Sequence, residues 1–244
     1  MNILLTNDDG IQADGINMLF EALSPYYQVY MIAPDKERSA CSNAITVRRK
    51  LKLTKLDSRR YTADGFPADC VNIAMHSGKI PVPDLVISGI NHGPNMGDDV
   101  FFSGTAAGAR TAFIFGRGGI AVSIDHWGEA SPHMKDAAGF VLDFVKEKEN
   151  VLFHQPMFFN INYPDLPRAE IKGVKYTSQG RRIYFDKFIT EEISENESLL
   201  ALDGIIESVD REGTDVTELK RGYITVTPLM LDCTDYDYLT AVTG

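Results

Sequence analysis

Cysteine is scarce in this chain, and what there is cannot form a framework. Cys41, Cys70 and Cys233 are odd in number, far apart and without a CxxC spacing. That excludes a disulfide scaffold and a thiolate zinc site, and it fits a reducing compartment. Cys70, in an apolar helical stretch, reads as a buried structural thiol. Long hydrophobic runs are missing as well. Nothing approaches the roughly 20 apolar residues that a membrane span needs. The opening Met1-Asn2-Ile3-Leu4-Leu5-Thr6 is too short for a signal-peptide core and meets acidic residues at once. A cytoplasmic protein without a membrane partner is expected. Positive charge is in deficit, with 24 Lys and Arg against 34 Asp and Glu, a net charge of −10. Such a field repels phosphate backbones at long range, so a nucleic-acid duplex is not an expected partner. The short basic clusters Arg48-Arg49-Lys50, Arg59-Arg60 and Arg181-Arg182 read as solvated turn and strand-edge charge. There is no internal repeat and no low-complexity stretch.

What is present is an alternating pattern. Asn2 to Thr6 is an apolar run of the kind a strand buried on both faces shows. Gly15 to Leu23 places Ile16, Leu19, Phe20 and Leu23 at helical spacing. A strand is predicted over Gln28–Ala33, then short β-like segments at Ala44–Val47, Leu51–Leu56 and Arg60–Ala63. Pro67 to His76 reads as a helix with proline in its first turn. Asp84–Ser88 reads as a strand running into a glycine- and asparagine-rich loop, Gly89 to Gly97. Ser103 is a natural N-cap for a small-residue helix, Gly104–Phe115. A strand at Gly119–Ser123 and a helix at Pro132–Glu147 follow. This β-α-β order implies a mostly parallel sheet with helices on both faces. From about Val151 the chain turns β-rich, with strand-like segments at Met157–Asn162, Ile171–Thr177, Arg182–Ile189 and Ile224–Thr227. Part of that extension is free to pack on another subunit.

Chemistry concentrates at strand ends. Adjacent side chains on a continuing strand face opposite ways, so Asp8 and Asp9 could not share an ion unless the chain bends. Gly10 permits that bend, and carboxyl ends of strands are where open α/β sheets bind ligands. Two hard carboxylate oxygens suit Mg²⁺ or Mn²⁺; an Asx-type turn with capping aspartates is the structural alternative. The loop Pro34 to Asn43 offers hydroxyls and an amide, as ion ligands or phosphate hydrogen-bonders. Ser88-Gly89-Ile90-Asn91 with Asn95 opens on the same edge. Ser103-Gly104-Thr105 starts a helix, whose free N–H groups and partial positive charge suit a phosphate. Asp98-Asp99 reads as ordering its loop, and Glu191-Glu192 as solvated. His92 beside Asn91 is chemically attractive as a general acid; His76, His126, His133 and His154 read as surface or helix-end residues. The first strand is followed neither by the Gly-x-Gly-x-x-Gly of a dinucleotide turn nor by the Asp-x-Asp of haloacid-dehalogenase-type phosphatases, since Gly10 stands where the second aspartate would be.

The motifs Leu4-Leu5-Thr6-Asn7-Asp8-Asp9-Gly10-Ile11, Ala33-Pro34-Asp35-Lys36-Glu37-Arg38-Ser39, Pro67-Ala68-Asp69-Cys70-Val71, Ser88-Gly89-Ile90-Asn91, Gly93-Pro94-Asn95-Met96-Gly97-Asp98-Asp99 and Ser103-Gly104-Thr105 occur in order. As a set the sequence resembles the SurE family, the survival-protein 5′/3′-nucleotidases. Weaker echoes continue at Ser178–Arg182, Thr214–Val216 and Gly222–Pro228. The resemblance implies a Rossmann-like α/β catalytic core over residues 1–150. Residues 151–244 would supply the remaining core strands and a β-rich oligomerisation extension, giving a homodimer or homotetramer. It implies a divalent-metal-dependent phosphomonoesterase acting on nucleoside 5′- and 3′-monophosphates, and on short-chain polyphosphate, by attack of metal-activated water. Attack by the Asp8 carboxylate is the alternative chemistry, and a silent nucleotide-binding module the alternative function. Carried over by position, one Mg²⁺ or Mn²⁺ per subunit would be held by Asp8, Asp9, Ser39 and Asn91, with Asp8 and Asp9 also catalytic. Asn43, Asn95, Ser103, Gly104 and Thr105 would face the phosphate. One departure stands out: Phe66 occupies the place of the family's usual Thr before Pro-Ala-Asp-Cys, which would bear on base or sugar preference.

Overall fold

The structure, a computed structural model, describes residues 1–128 and 131–243; Gly244, the last residue of the extension, lies outside them. In chain order the elements are β1 (Asn2–Thr6), α1 (Asp14–Leu23), β2 (Gln28–Pro34), β3 (Leu53–Lys55), β4 (Arg60–Ala63), α2 (Pro67–His76) and β5 (Leu85–His92). Next come a 3₁₀ turn (Gly97–Phe101), α3 (Gly104–Ile114), β6 (Gly118–Ile124), α4 (Met134–Glu147), α5 (Glu149–Leu152) and β7 (Phe158–Tyr163). The remainder is a 3₁₀ turn (Arg168–Glu170), β8 (Val174–Tyr176), β9 (Arg182–Ser194), β10 (Glu197–Ser208), α6 (Asp215–Lys220), β11 (Ile224–Pro228) and α7 (Tyr236–Thr243).

Nine strands form one sheet in the order β3-β4-β2-β1-β5-β6-β7-β11-β8. From β4 through β7 every neighbour is parallel, while β3 and β11 run antiparallel to β4 and β7. Alternate side chains of one strand feed two cores. Ile3 and Leu5 pack with Ile16 and Leu19 of α1 and with Val141 of α4. Leu4 points the other way, into a cluster with Val71 of α2 and Ala112 of α3. The strand order reverses at β1, which lies between β2 and β5. That switch point opens a crevice at the carboxyl ends of β1 and β5.

Two differences from the sequence reading have physical causes. Ala44–Val47 is loop, because the Thr46 N–H and hydroxyl both go to the Asp69 carboxylate (2.8 Å each) rather than to a neighbouring strand. The third long strand does not stop at Ser88. It is interrupted between Ser88 and Asn91, then pairs Asn91 with Ser123 and His92 with Ile124. Gly89 (φ +134°) makes the irregularity possible, since a Cβ there would lie 2.2 Å from the Val122 carbonyl. Of the extension, β7, β11 and β8 complete the main sheet, whereas β9 and β10 form a separate antiparallel hairpin. The strand predicted over Arg182–Ile189 runs on to Ser194, with β10 as its partner. No helix among the described residues is long and apolar enough to cross a membrane.

Candidate active site

The turn after β1 is fixed from two sides. Asn7 closes it through Nδ2 to the Gly10 carbonyl (2.8 Å) and accepts from the Gly10 N–H (3.2 Å). The Arg38 N–H donates to the Asp8 carbonyl (2.7 Å) and the Ile11 N–H to that of Pro34 (3.0 Å), tying the turn to the loop after β2. Within that loop Ala40 and Ser42 take φ values of 54° and 51°, a costly conformation for residues with a Cβ and one that clusters at functional sites.

Asp8 is 3% exposed. Its carboxylate sits at the start of α3, where the Thr105 hydroxyl and the N–H groups of Gly104 and Thr105 donate to it. Burial still raises its pKa, and those donors only oppose the rise. Asp9 is pushed up to about 7, first by burial and next by the neighbouring Asp8 charge, against a hydrogen bond from the His92 N–H. Its Oδ2 is buried and has no hydrogen-bond partner. An orphaned carboxylate oxygen beside a second carboxylate is a place a cation would satisfy. Asn91 donates through Nδ2 to the carbonyls of His92 (3.1 Å) and Gly93 (2.7 Å), which leaves its Oδ1 as an acceptor. Among the described residues no group of three or more His, Cys, Asp or Glu could hold a metal. A cation here would therefore take two carboxylates and neutral oxygens, a hard donor set that fits Mg²⁺ or Mn²⁺.

A cavity of about 530 Å³ lies against this corner, and Asp8, Ser39, Asn91, Asn95 and Ser103 all line it. Asp9, Gly104 and Thr105 stand just behind, joined through His92 and Asp8. Asn43 does not line the cavity; its Oδ1 is buried and unpartnered. Ser103 Oγ accepts from the Ala106 N–H (2.9 Å), as an N-cap should, and keeps its own proton to donate. Phe66 lies away from the cavity, its ring 5.5 Å from the Arg38 guanidinium.

Several residues of the site were invisible in the sequence. Asn160 and Asn162 of β7 hold the Asn95 carbonyl (2.7 and 3.0 Å), and Asn162 Oδ1 accepts the Asn95 N–H (2.9 Å). Ser123 Oγ takes the Asn95 side-chain amide (2.9 Å). Two asparagines at alternate positions of a fully buried strand were the available signal. Asp215, itself buried, accepts from the N–H groups of Gly97 (3.0 Å) and Gly180 (2.7 Å). Asp98 and Asp99 do order their turn, but by gripping the hairpin: Asp98 takes the Arg182 N–H (2.8 Å), and Asp99 takes the Arg182 guanidinium and the Tyr184 hydroxyl.

A doubly wound sheet with carboxylates and amides gathered at its topological switch is the arrangement with which open α/β proteins take small ligands, at the carboxyl edge of the sheet. Comparison with known proteins narrows the class. The family model for survival protein SurE matches residues 3–186. The chain is 41% identical over 242 residues to 5′-nucleotidase SurE of Geobacter sulfurreducens, covering 98% of this chain and 92% of that one. It is 40% identical over 247 residues to 5′-nucleotidase SurE of Histophilus somni, covering 99% and 97%. The crystal structure of SurE protein from Aquifex aeolicus superposes with a TM-score of 0.84 at 36% identity, covering 99% of this chain and 98% of that one. The chain belongs to the SurE family.

Proposed function

We propose that the chain is a divalent-metal-dependent nucleotidase of the cytoplasm, hydrolysing nucleoside 5′- and 3′-monophosphates to nucleoside and phosphate, with short-chain polyphosphate as a further substrate. One observation carries the reading: Asp9 presents a buried, unpartnered carboxylate oxygen behind Asp8, which itself lines a cavity of about 530 Å³. The names of the curated relatives support the substrate class.

In this reading Asp8, Asp9, Ser39 and Asn91 hold one Mg²⁺ or Mn²⁺ per subunit. When bound, the ion neutralises charge on the phosphoryl oxygens and acidifies water. The protein's own part is positioning, which is most of what phosphoryl transfer asks of an enzyme. Ser103 donates its hydroxyl to a phosphoryl oxygen. Asn95, its backbone pinned by Asn160 and Asn162, fixes a second edge of the group. Water is the nucleophile: its oxygen bonds to phosphorus, the ester P–O bond breaks, and the proton passes to the leaving alcohol. Asp8 is poorly placed to attack, because its carboxylate is already engaged by α3. Burial lowers the pKa of His92, disfavouring its charged form, which counts against it as the general acid.

We also propose a homodimer or homotetramer. The hairpin β9–β10 is exposed along nearly its whole length, Phe188, Ile189, Leu200 and Leu202 included, and an isolated two-stranded hairpin is marginal in water. The decisive experiment is phosphate release from nucleoside monophosphates with Mg²⁺ or Mn²⁺. Activity should vanish in EDTA and in Asp9→Ala; equal activity in either removes the metal reading. Tight nucleotide binding without phosphate release would instead mark a silent binding module.

A further inference from the structure

Trp127 is the chain's only tryptophan, and it is 70% exposed. An indole left in water needs a reason, because tryptophan is on average highly buried. It lines the same cavity as Asp8 and Asn95. Its six-membered ring lies against Gly93, where a Cβ would come within 2.7–2.9 Å of three ring carbons. The ring is thus backed by the Asn91–Asn95 segment, while much of its surface stays accessible. Other walls of the cavity include Phe102 and Tyr184, an edge-to-face pair with centroids 6.1 Å apart, and Leu202 and Ile206 of β10. The cavity is therefore two-natured, with carboxylates, hydroxyls and amides at one end and aromatic and aliphatic carbon at the other. At about 530 Å³ it is far larger than a phosphate group requires.

We infer that Trp127 is the stacking platform for the nucleobase of the substrate, with Phe102 and Tyr184 bounding the base on its other sides. This rests on the nucleotidase reading above. Base–aromatic stacking is tolerant of sequence, since every base has a π-face. The structure therefore assigns this end of the cavity to recognising that a base is present rather than which base it is. The residue acts on specificity and takes no part in bond breaking.

The test compares AMP with ribose 5-phosphate, the same ester without its base, through the ratio of their kcat/KM values. That ratio should fall about tenfold in Trp127→Ala, the scale of one lost base–aromatic stack, and recover in Trp127→Phe. An unchanged ratio, including an equal loss on both substrates, overturns the assignment. Fluorescence supplies a second readout that needs neither metal nor turnover, because all indole emission comes from this one residue. Adenosine should quench it saturably in the wild-type chain, and absence of quenching overturns the platform. Quenching by adenosine in a protein that hydrolyses no phosphomonoester would uphold the platform and overturn the nucleotidase reading. Hydrolysis of AMP without quenching would do the reverse.

Discussion

Asp9 pairs two costs in one side chain, a buried charge and a missing partner. Its folded pKa of about 7 lies above the value of about 4 that the unfolded chain would show. The folded state therefore holds the proton more tightly. The stability that proton contributes is fully present below about 4 and is lost as the pH rises through about 7. Metal-free protein should accordingly melt at a lower temperature at pH 8 than at pH 5 in EDTA, and Asp9→Asn should flatten that difference. A cation would favour the opposite state, so metal affinity should climb over the same window. Legibility at this scale was uneven. Asp8 and Asp9 stood out only in company, since Asp-Asp-Gly alone reads equally as an Asx-type turn and it is the further loops at neighbouring strand ends that point to a site. Asn160, Asn162 and Trp127 did not, because their roles depend on partners more than 30 residues away in sequence, such as the Asn95 carbonyl and the backbone of Gly93.

At the scale of elements, α3 is the most constrained piece. Its small residues, Gly104, Ala106, Ala107, Gly108 and Ala109, are all buried, so the helix presses its backbone close to the sheet and carries its N-terminus to Asp8. The tightest approach is at β6, where a Cβ on Gly119 would lie 2.1 Å from the Ala109 carbonyl oxygen. Backbone cannot step aside as a side chain can. Gly119→Ala should cost about 1–3 kcal/mol by overpacking, measured by urea denaturation. It should also lower kcat for AMP by shifting α3 off Asp8. The strands of the parallel core were readable because burial on both faces leaves a plain apolar run, as in β1. Ala44–Val47 was misread for the converse reason: its alternation resembles a strand, but a single buried carboxylate, Asp69, took the hydrogen bonds a strand would have used. Sequence patterning registers which residues are apolar; it does not register which side chain will intercept a backbone donor.

For the molecule as a whole, the exposed apolar surface is unevenly spread, concentrated on the hairpin and the tail that includes α7. Charged substitutions such as Phe188→Asp with Leu200→Asp should lower the mass seen by light scattering while leaving the far-ultraviolet circular dichroism intact; an unchanged mass would refute an oligomeric role for the hairpin. Truncation is a poor probe near Gly222, because β11 is hydrogen-bonded to both β7 and β8 inside the main sheet. Removing residues after Leu229 spares that strand.

Asp215 makes the cavity depend on the C-terminal third of the chain. It joins the Gly97 backbone, 118 positions earlier, to Gly180, and so fastens the turn beside the cavity to α6. β1 and β5 pair directly although Ile3 and its partner Leu85 lie 82 positions apart, and the turn carrying Asp99 is likewise held from a distance, by Asp215 of α6. A chain lacking its final third would carry both aspartates without the side of the cavity that Arg182, Tyr184, Leu202 and Ile206 supply.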